Sequence, residues 1–303
     1  MSKGKILIIG GSGFVSGTLA GVARDHGNEV WVITRGRKPL PSGVIPLRVD
    51  RSDAAAFKAA VTGAGVRWDL VVDCIGYEVA DARQDIAVFP ALAGHLVFIS
   101  TDFVFDPDRR QYPQPWDNPA TLTDDSYGGK KRRCELEFLK ANTRPMRWTV
   151  FRPCHIYGPG SNLGCLPEAL RDPELLAKIR AGKPLRLVGG GHFLQQPVFA
   201  RDLAELILGV IGNDKADRGI YCVAGPDIAE SADYYRMIAE ELGAELQVEE
   251  APIAQSLQAH PDWKPYLCHR FYDLAPLRRD GLKVPGTPLR NGLREQVRWL
   301  ETR

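Results

Sequence analysis

Apolar residues recur with two different spacings over about the first 150 positions of the chain. Six short runs are apolar almost without interruption, which is typical of strands buried on both faces. These runs span 5–10, 29–34, 44–49, 69–74, 95–100 and 147–152. Between most of them the apolar positions follow a helical spacing, near 13–26, 53–62, 80–91 and 127–141. The alternation predicts a doubly wound α/β fold, in which helices cover both faces of a parallel sheet.

The spacing changes after residue 152, where glycine and proline become dense in the segment PCHIYGPGSNLGCLP. Further helices are predicted near 167–181, 200–211, 230–242 and 291–302, and short strands near 185–188, 219–223 and 245–249. We therefore divide the chain into a sheet domain, residues 1–152, and a smaller, irregular α/β lobe, residues 153–303, that returns segments to the first domain. Ligands of such sheets bind at the carboxyl ends of the strands.

The net charge and the cysteine content indicate which binding partners and which cellular compartment to expect for the protein. The 39 basic and 37 acidic side chains leave a net charge of +2. Nucleic-acid and membrane-surface proteins usually carry a larger basic excess, so we expect neither partner. No apolar run approaches the roughly 20 residues that span a bilayer, and the N-terminus lacks the apolar run of a signal peptide. The six cysteines form no CxxC pair and no zinc-ligand cluster, which predicts no metal site and reduced thiols in a cytoplasmic protein.

The first predicted strand runs into the glycine-rich segment IIGGSGFVSG. Gly10 permits a tight turn, and Gly13 lets backbone N–H groups approach a pyrophosphate at the start of a helix. Ser16 stands at the third glycine position of the GxxGxxG pattern. An ordinary glycine-rich turn is the alternative, but the flanking strand and helix favour a Rossmann dinucleotide-binding domain, with residues 153–303 as its substrate lobe. The predicted cofactor contacts in this turn are Gly10, Ser12, Gly13, Phe14 and Val15.

The residues after the second strand indicate which nicotinamide cofactor binds. No acidic residue lies from Val30 to Lys38 to accept from a ribose 2′-hydroxyl, whereas Arg35 and Arg37 are placed to hold a 2′-phosphate. The sequence therefore favours NADP over NAD, with a solvated basic loop as the alternative.

The third predicted strand ends in the segment RVDRSD. We predict that Asp50 binds the adenine amine and that Arg51 stacks nearby. An N-cap role for Asp50 or Ser52, at the start of the next helix, is the alternative.

Tyr127 and Lys131 lie four residues apart in SYGGKKRRCE and would share one face of a helix. A phenol has a reference pKa of about 10, and a nearby ammonium with a positively charged nicotinamide would lower that pKa toward neutrality. We predict Tyr127 as the acid or base, and Lys131 as the group that lowers its pKa and holds the nicotinamide ribose. Gly128 and Gly129 both disfavour a helix, and we interpret them as room for a second molecule beside the backbone.

The remaining cations of this segment, Lys130, Arg132 and Arg133, raise the alternative of a nucleic-acid patch. They would point elsewhere on the predicted helix, and Glu135 and Glu137 offer them local partners. We therefore interpret them as a solvated helix face.

Polar residues end the fifth predicted strand, in HLVFISTDFVFD. Ser100, Thr101 and Asp102 come at its carboxyl end, where the active site is expected. A hydroxyl there can donate to a substrate carbonyl or accept from a substrate hydroxyl. A serine/threonine turn that closes the strand is the alternative.

Several of these segments together resemble the extended short-chain dehydrogenase/reductases, the NAD(P)-dependent epimerase/dehydratase superfamily, over essentially the whole chain. The segments are GGSGFVSG, STDFVF, Tyr127-x-x-x-Lys131, FRPCHIYGPG and PVFARDLAELI. The resemblance implies Thr101 as the catalytic hydroxyl, and hydride transfer at a hydroxyl or keto carbon of a sugar or nucleotide sugar. It also implies a homodimer paired through the helices near 81–91 and 127–141. The further cofactor contacts that we expect from it are Cys74, Gly76, Ser100, Lys131, Pro153 and His155.

Two departures from the family's patterns narrow the chemistry. Phe103 stands where sugar 4,6-dehydratases carry an acid, so we expect no dehydration; STDFVFD looks more like the nucleotide-sugar keto-reductases. Gln195 and Gln196 stand where many nucleotide-sugar enzymes have a diphosphate-binding arginine, which argues against a diphosphate-linked substrate. The catalytic residues do not separate an epimerase from a reductase or dehydrogenase. The alternative function is a non-catalytic member of the same fold that senses dinucleotides or associates with RNA.

The substrate contacts are predicted only from where the loops must lie. We expect them to include Tyr77, Asp102, Asn162 and His192. Trp263 and Tyr266, in HPDWKPYLCHRFY, would form either a lid or packing within the lobe, and we favour packing.

Overall fold

The computed structural model describes residues 4–303, which are arranged around one parallel sheet. The strands are β1 (Lys5–Ile9), β2 (Glu29–Thr34), β3 (Ile45–Arg48), β4 (Trp68–Asp73), β5 (Ala93–Ile99), β6 (Arg147–Pro153), β7 (Ile156–Tyr157), β8 (Leu185–Val188), β9 (Leu194–Gln195), β10 (Val198–Phe199), β11 (Gly219–Val223), β12 (Ala229–Glu230) and β13 (Val248–Ala251). Seven of them form the central sheet in the order β11-β6-β5-β4-β1-β2-β3, and every neighbouring pair is parallel. The strand order reverses between β1 and β4, and ligands of such folds bind at the crevice outside their carboxyl ends.

Helices cover both faces of this sheet. They are α1 (Phe14–Asp25), α2 (Ala54–Gly63), α3 (Val79–Val88), α4 (Tyr127–Lys140), α5 (Leu175–Arg180), α6 (Ala200–Leu208), α7 (Ser231–Glu241), α8 (Ile253–Ala259), α9 (Ala275–Arg279) and α10 (Leu289–Glu301). Alternate side chains of a strand point to opposite faces. Ile6 and Ile8 of β1 therefore join the core beneath α1 and α6, whereas Leu7 and Ile9 join the core beneath α2, α3 and α4. The predicted doubly wound Rossmann fold is confirmed.

The second half of the chain contributes both to the sheet and to a smaller lobe. β11 pairs with β6 at the sheet edge, with Ile220 opposite Val150, and α6 packs against α1. The lobe has its own core, in which Tyr235 and Ile238 of α7 pack with Leu293 of α10. Short two-stranded ladders accompany it: β7 with β10, β8 with β13, and β9 with β12. The division of the chain at residue 152 stays a prediction.

One predicted helix, at 167–181, is much shorter in the structure. α5 spans only Leu175–Arg180. Glu168 and Arg171 have φ angles of 70° and 49°, in the left-handed region, which a helix does not contain. Single turns of 3₁₀ helix lie elsewhere, at Asp102–Val104, Gly189–Gly191 and Asp214–Ala216, with a longer one at Pro261–Tyr266. Within residues 4–303, no helix combines the length and the apolar composition needed to cross a membrane.

Candidate active site

The turn between β1 and α1 has the shape of a phosphate-binding loop. Gly10 has a φ of 97°, which glycine adopts without strain. A Cβ on Gly11 would lie 2.3 Å from the Val32 side chain, so the turn passes too close to β2 for any larger residue. Ser16, in place of the third glycine, donates its hydroxyl to the Gly10 carbonyl at 2.6 Å and accepts from the Gly13 N–H at 3.0 Å. The serine therefore braces the turn.

A first cleft, of about 630 Å³, opens beside this turn and the loop after β2. Hydrogen bonds from Ser52, and then the charges of Arg35 and Arg37, hold the pKa of the Asp50 carboxyl below its usual range. α2 is capped by Asp53, so the alternative of an N-cap at Asp50 or Ser52 is wrong. The predicted cofactor residues that line this cleft are Gly10, Ser12, Gly13, Arg35, Arg37, Asp50 and Arg51.

Arg51 lines the first cleft, but its guanidinium is committed to carboxylates. It is 8% exposed and pairs with Asp73 at 2.8 Å, Asp85 at 3.1 Å and Asp81 at 3.2 Å. Burial disfavours its charge, but the carboxylates of Asp73 and Asp85 outweigh burial and raise the pKa of Arg51. A buried cation that lost these partners would be strongly destabilising. Through these ion pairs the guanidinium joins the segment after β3 to β4 and α3. Because stacking would use the face of the guanidinium and not its N–H groups, the stacking of Arg51 on an adenine stays a prediction.

A second cleft, of about 310 Å³, contains the three predicted catalytic residues. It meets the first cleft at Tyr77, which lines both. Thr101 follows β5, Tyr127 opens α4, and Lys131 lies about one turn further along that helix. Tyr127 is 48% exposed, whereas Thr101 is 7% and Lys131 is 1% exposed. A phenol, an ammonium and a hydroxyl from two separate elements thus line one cavity.

The charge states in this cavity are governed mainly by burial. Burial raises the pKa of the Tyr127 phenol, Tyr77 and Asp102 raise it further, and a hydrogen bond with Thr101 opposes them. Lys131 donates from Nζ to the Gly76 carbonyl at 2.7 Å, and burial lowers the pKa of its ammonium. Burial is thus the largest influence on the pKa of the Tyr127 phenol. The expected lowering of its pKa, which requires a positively charged nicotinamide as well as Lys131, stays a prediction.

The two glycines that open α4 have a purely internal reason. A Cβ on Gly128 would lie 1.8 Å from the Phe103 carbonyl oxygen, and a Cβ on Gly129 would lie 2.4 Å from the Asp124 carbonyl oxygen. The first turn of α4 therefore lies in direct contact with the backbone of Phe103 and Asp124. The interpretation that these glycines make room for a second molecule is therefore wrong.

The cations that follow the glycines are all ion-paired, but only Arg132 with one of the two predicted partners, because Glu137 pairs with Arg83. Lys130 pairs with Glu78 at 2.6 Å, and Arg133 pairs with Asp125 at 2.9 Å. Arg132 pairs with Glu135 at 2.8 Å.

Ser100 lines the second cleft, but its hydroxyl is hydrogen-bonded to a buried side chain of the protein. Its Oγ donates to Glu135 at 2.6 Å, and the same carboxylate accepts from Arg152 through two bonds of 2.9 and 2.7 Å. Burial opposes this carboxylate, but the Arg152 charge outweighs it and holds the pKa of Glu135 below its usual range. Ser100 thus helps to fasten α4 to the ends of β5 and β6, and the expectation that its side chain holds the cofactor is not supported.

Asp102 also lines the second cleft, but its carboxylate is 2% exposed and satisfied by the protein. It accepts from Arg270 at 2.8 and 3.1 Å and from the Tyr272 hydroxyl at 2.5 Å, and Arg110 donates to its backbone carbonyl at 2.9 Å. These bonds join the turn after β5 and the nearby Arg110 to the distant segment that carries Arg270 and Tyr272. The prediction of Asp102 as a substrate ligand is therefore wrong for its side chain.

The residues expected on the nicotinamide side lie in the second cleft. Burial lowers the pKa of His155 well below its usual range, so the imidazole is neutral, and burial raises the pKa of the Cys74 thiol. Phe14, another predicted cofactor contact, is not among the residues that line the two clefts. Its ring faces Arg171, with 5.7 Å between the guanidinium carbon and the ring centroid. The predicted cofactor residues that line this cleft are Val15, Cys74, Ser100, Lys131, Pro153 and His155, and Gly76 contributes the carbonyl bound by Lys131.

Two predicted substrate residues lie away from both clefts. Asn162 lines a separate depression beside α5 and the end of α10. His192 is exposed and pairs its Nδ1 with Glu230 at 2.9 Å. Both predictions are wrong, because the glycine-rich turns that carry these residues fold back onto the lobe. Tyr77, the remaining one, lines both clefts.

The side chains that line the second cleft but were not predicted as site residues include Tyr266 and Arg171. Tyr266, for which we favoured packing over a lid, packs edge-on against Phe103 with ring centroids 4.8 Å apart and forms part of the cleft wall. Trp263 instead stacks on His260 at 4.0 Å, in agreement with packing. An aromatic-rich segment was the available signal for Tyr266. The sequence gave no signal that Arg171 would line the cleft, because a single arginine in a loop is usually exposed to solvent.

The two glutamines that replace the expected arginine are engaged within the lobe. Gln195 donates to the Ser231 hydroxyl at 2.8 Å. Gln196 donates to the Gly225 carbonyl at 2.8 Å and accepts from the Tyr272 N–H at 2.8 Å. Both are buried. They serve the packing of the lobe.

Known proteins resemble this chain in sequence and in fold. A chloroplast stem-loop binding protein of 41 kDa b from Arabidopsis thaliana is 26% identical over 242 residues, which cover 74% of this chain and 59% of that protein's length. A 2-alkyl-3-oxoalkanoate reductase from Stenotrophomonas maltophilia is 24% identical over an alignment of 347 positions, which covers 96% of this chain and 97% of that protein. The UDP-glucose 4-epimerase of Thermotoga maritima, solved with UDP-glucose, has the same fold, with a TM-score of 0.76 and 17% identity over 98% of this chain and 99% of its own.

A family model covers the sheet and the phosphate loop together. The model of the NAD dependent epimerase/dehydratase family matches residues 6–224, from β1 to the residue after β11. The match includes the glycine turn, Thr101, Tyr127 and Lys131. Because it extends over more than half of the chain, this protein belongs to the NAD dependent epimerase/dehydratase family.

Proposed function

We propose that this chain is an NAD(P)-dependent oxidoreductase or epimerase that transfers hydride at a hydroxyl or keto carbon, with Tyr127 as acid or base. One observation carries the proposal: Thr101, Tyr127 and Lys131 line a single cleft that meets the phosphate-loop cleft at Tyr77. Membership of the family supplies the general chemistry.

The first cleft fits a nicotinamide dinucleotide. The turn at Gly10 and the close approach at Gly11 leave the backbone without side chains where a pyrophosphate would lie against α1. When bound, the cofactor supplies a carbon that accepts or gives hydride. Arg35 and Arg37 line this cleft, and no carboxylate occurs between residues 30 and 38, which supports NADP over NAD.

Tyr127 exchanges the proton of the reacting oxygen. A phenol with an ordinary pKa of about 10 carries its proton near neutral pH, and burial raises that pKa further. The group is therefore suited to protonating a ketone oxygen as it accepts hydride. Thr101 can donate to the same oxygen, and its Oγ is held by the Phe103 N–H at 3.3 Å. An ammonium has three protons, so Lys131 can keep its bond to the Gly76 carbonyl and still hold the nicotinamide ribose.

A sugar or nucleotide-sugar-like molecule is the substrate class that we propose for this site. The names of the reductase and the epimerase to which the chain is similar both describe chemistry at a keto or hydroxyl carbon, which supports hydride transfer. Phe103 lines the cleft and offers no acid, which supports the expectation that the enzyme is not a 4,6-dehydratase.

We also propose a cytoplasmic homodimer that pairs through α3 and α4. These two helices lie side by side and are joined by Arg83 and Glu137 at 2.9 Å. Leu139 of α4 is 38% exposed, an apolar group that a second subunit would cover.

Substitution of Tyr127 tests the proposal directly. Tyr127→Phe removes the transferable proton and is expected to lower the rate of nicotinamide oxidation by about 10²–10⁴-fold, while NADPH affinity changes less than about twofold. Rates are measured from nicotinamide absorbance with a panel of keto sugars and oxo acids, and affinity by calorimetry. Tyr112→Phe removes a hydroxyl from an exposed ring outside both clefts and is the matched control. Retained turnover in Tyr127→Phe would remove this residue from the acid/base role.

A dinucleotide-sensing or RNA-associated protein is the second candidate function, favoured by the similarity to the stem-loop binding protein. The paired cations of α4 argue against an RNA patch there. NADPH binding without turnover by the wild-type protein, or binding of a stem-loop RNA in place of NADPH, would favour this function.

A further inference from the structure

The loop from Gly164 to Asp172 is held rigidly at the mouth of the second cleft. Tyr235 of α7 accepts from the Cys165 and Leu166 N–H groups at 2.9 and 3.0 Å. A Cβ on Gly164 would lie 1.8 Å from the Ala169 carbonyl oxygen, so the loop closes tightly on itself. The lobe core therefore fixes the backbone from which Leu170 and Arg171 line the cleft.

Arg171 occupies a strained position in this loop. Its φ is 49°, in the left-handed region, where a non-glycine residue costs about 1–3 kcal/mol. Such strain is concentrated at functional sites because the surrounding structure must maintain it. The strain sets the backbone from which this exposed arginine lines the second cleft.

The guanidinium of Arg171 is not neutralised by the described part of the chain. Its polar contact is with Ser161, whose hydroxyl accepts from Nη1 at 3.2 Å, and it lies 5.7 Å from the Phe14 ring centroid. Among residues 4–303 it forms no ion pair with a carboxylate. A hydroxyl and an aromatic ring leave most of its five donors available to a ligand.

The other cations of the second cleft are committed. Arg270 gives two hydrogen bonds to Asp102. Lys131 donates to the Gly76 carbonyl and faces the ring of Phe98 at 4.4 Å. The cleft thus offers one uncommitted guanidinium, which suits a single carboxylate better than a diphosphate.

The opposite side of Tyr127 is acidic. A groove of about 610 Å³ shares Phe103, Tyr127 and Tyr266 with the second cleft. Its aspartates are Asp106, Asp108, Asp124 and Asp262, with Lys264 the one basic residue among those that line it. Asp106 and Asp108 pair with Arg109 and Lys264, whereas the carboxylates of Asp124 and Asp262 pair with no basic side chain in the described part of the chain. Their charges disfavour a polyphosphate that extends past Tyr127.

We propose that Arg171 binds a carboxylate of the substrate, so that the substrate is a hydroxy or oxo acid, sugar acids included. The inference rests on the proposed function, because it assumes that the reacting carbon lies at Tyr127. A cavity of about 310 Å³ is at the small end of ligand pockets, so one small molecule can contact both residues. Arg171 sets specificity by charge. Within the proposed class of sugars and nucleotide-sugar-like molecules, this narrows the substrate to sugar acids and related acids with one carboxylate, and the acidic groove disfavours diphosphate-linked sugars.

Binding to the full-length protein saturated with the non-reacting form of the cofactor, NADP+ for 4-oxopentanoate and its ester and NADPH for glucuronate and its ester, tests this inference independently of turnover. The probes are two matched pairs, 4-oxopentanoate with its methyl ester and glucuronate with its methyl ester. Wild type should bind each carboxylate at least about tenfold more tightly than its ester, because charge-assisted bonds to arginine are strong. Dissociation constants come from calorimetry or ligand-observed NMR.

Two variants separate charge from loop conformation. Arg171→Asn removes the guanidinium but tolerates the left-handed backbone, and it should abolish the preference for the carboxylate. Arg171→Lys should retain part of it. Arg201→Gln, at an exposed arginine paired with Glu295 outside the clefts, is the control that should match wild type. Thermal unfolding establishes that each variant is folded.

Each result distinguishes the possible roles of the arginine. If Arg171→Asn weakens NADPH binding tenfold or more and leaves the probe preference intact, the anion is the cofactor's pyrophosphate and the proposal fails. It also fails if wild type shows no preference within either pair. A carboxylate preference that depends on Arg171, in a protein that neither oxidises or reduces the nicotinamide with any probe nor interconverts epimers of a hydroxy acid, would refute the proposed function and leave the carboxylate site standing.

Discussion

At the scale of single residues, burial keeps most of the groups around the reacting position neutral. Burial raises the pKa of the phenol of Tyr127 and the pKa of the thiol of Cys74, and it lowers the pKa of the imidazole of His155. A phenol, a thiol and an imidazole that are all uncharged leave the electrostatics of the second cleft to the Asp102 carboxylate and to its guanidinium and ammonium groups. The cleft is therefore suited to holding a proton on Tyr127 until a negative oxygen develops beside it.

Arg35 determines the choice of cofactor if its position beside the first cleft is functional. Arg35→Ala should weaken NADPH by about tenfold or more, because a charge-assisted bond to the 2′-phosphate is lost, and should change NADH by less than about twofold. Fluorescence titration with each nucleotide measures both constants. Arg67→Ala, at an exposed arginine that does not line the clefts, is the control. Equal losses for NADPH and NADH would contradict the assignment.

At the scale of elements, the start of α4 is fixed by contact with the 3₁₀ turn after β5. The pairing of Gly128 with the Phe103 carbonyl places Tyr127 beside Thr101. A side chain at residue 128 would push the helix away from that turn, and Tyr127 would move with it. The geometry of the pair that we propose as catalytic therefore depends on a glycine, which has no side chain to take part in the reaction.

Gly128→Ala should destabilise the protein by about 1–3 kcal/mol, the usual effect of overpacking, and should also lower turnover. The matched control is Gly21→Ala in the interior of α1, where a Cβ would meet nothing within 4 Å and alanine should stabilise by up to about 1 kcal/mol. Urea unfolding gives both free energies. A Gly128→Ala protein as stable and active as wild type would contradict the tight contact.

The apolar pattern was sufficient to predict the sheet, because strands buried on both faces leave long apolar runs such as the one at β1. The phosphate loop and the Tyr127, Lys131 and Thr101 set were equally visible, because each has a fixed local spacing. Ion-pair partners that are distant in the sequence could not be predicted. Nothing beside Arg51 in the chain reveals its three carboxylates, and nothing beside Asp102 reveals Arg270, since those contacts are made by the tertiary fold.

At the scale of the whole molecule, Asp102 is where the sheet meets the later half of the chain. Its carboxylate accepts from Arg270 and Tyr272, while Arg110 from the long loop between β5 and α4 binds its carbonyl. Burial opposes the carboxylate charge, but Arg270 and Arg110 outweigh burial and lower the pKa of Asp102. The junction is therefore strongest where this group is ionised.

Asp102→Asn should lower the free energy of unfolding by about 3–5 kcal/mol near neutral pH, because it leaves two buried guanidinium groups without their countercharge. Since the pKa of Asp102 is lower in the folded protein, its contribution is present above the unfolded value of about 3.9 and declines as pH falls below it. The difference between the two proteins, followed by denaturant titration, should shrink there.

An exposed ion pair is the control for that loss. Asp125→Asn removes a carboxylate that is 93% exposed and pairs with Arg133, and it should change stability by less than about 1 kcal/mol. If Asp102→Asn matched this control, Asp102 would not be the junction that its contacts indicate.

The edge strand β11 and helix α6, which packs against α1, are among the later parts of the chain to be synthesised. A ribosome adds roughly 5–20 residues each second, so β6 waits several seconds for its neighbour and α1 waits longer for α6. During that interval the nascent protein presents a row of unpaired backbone groups and an uncovered apolar face, both of which promote aggregation. Recovery of native enzyme from a cell therefore depends on how promptly translation delivers residues 200–223, or on a chaperone that shields the unfinished sheet until they arrive.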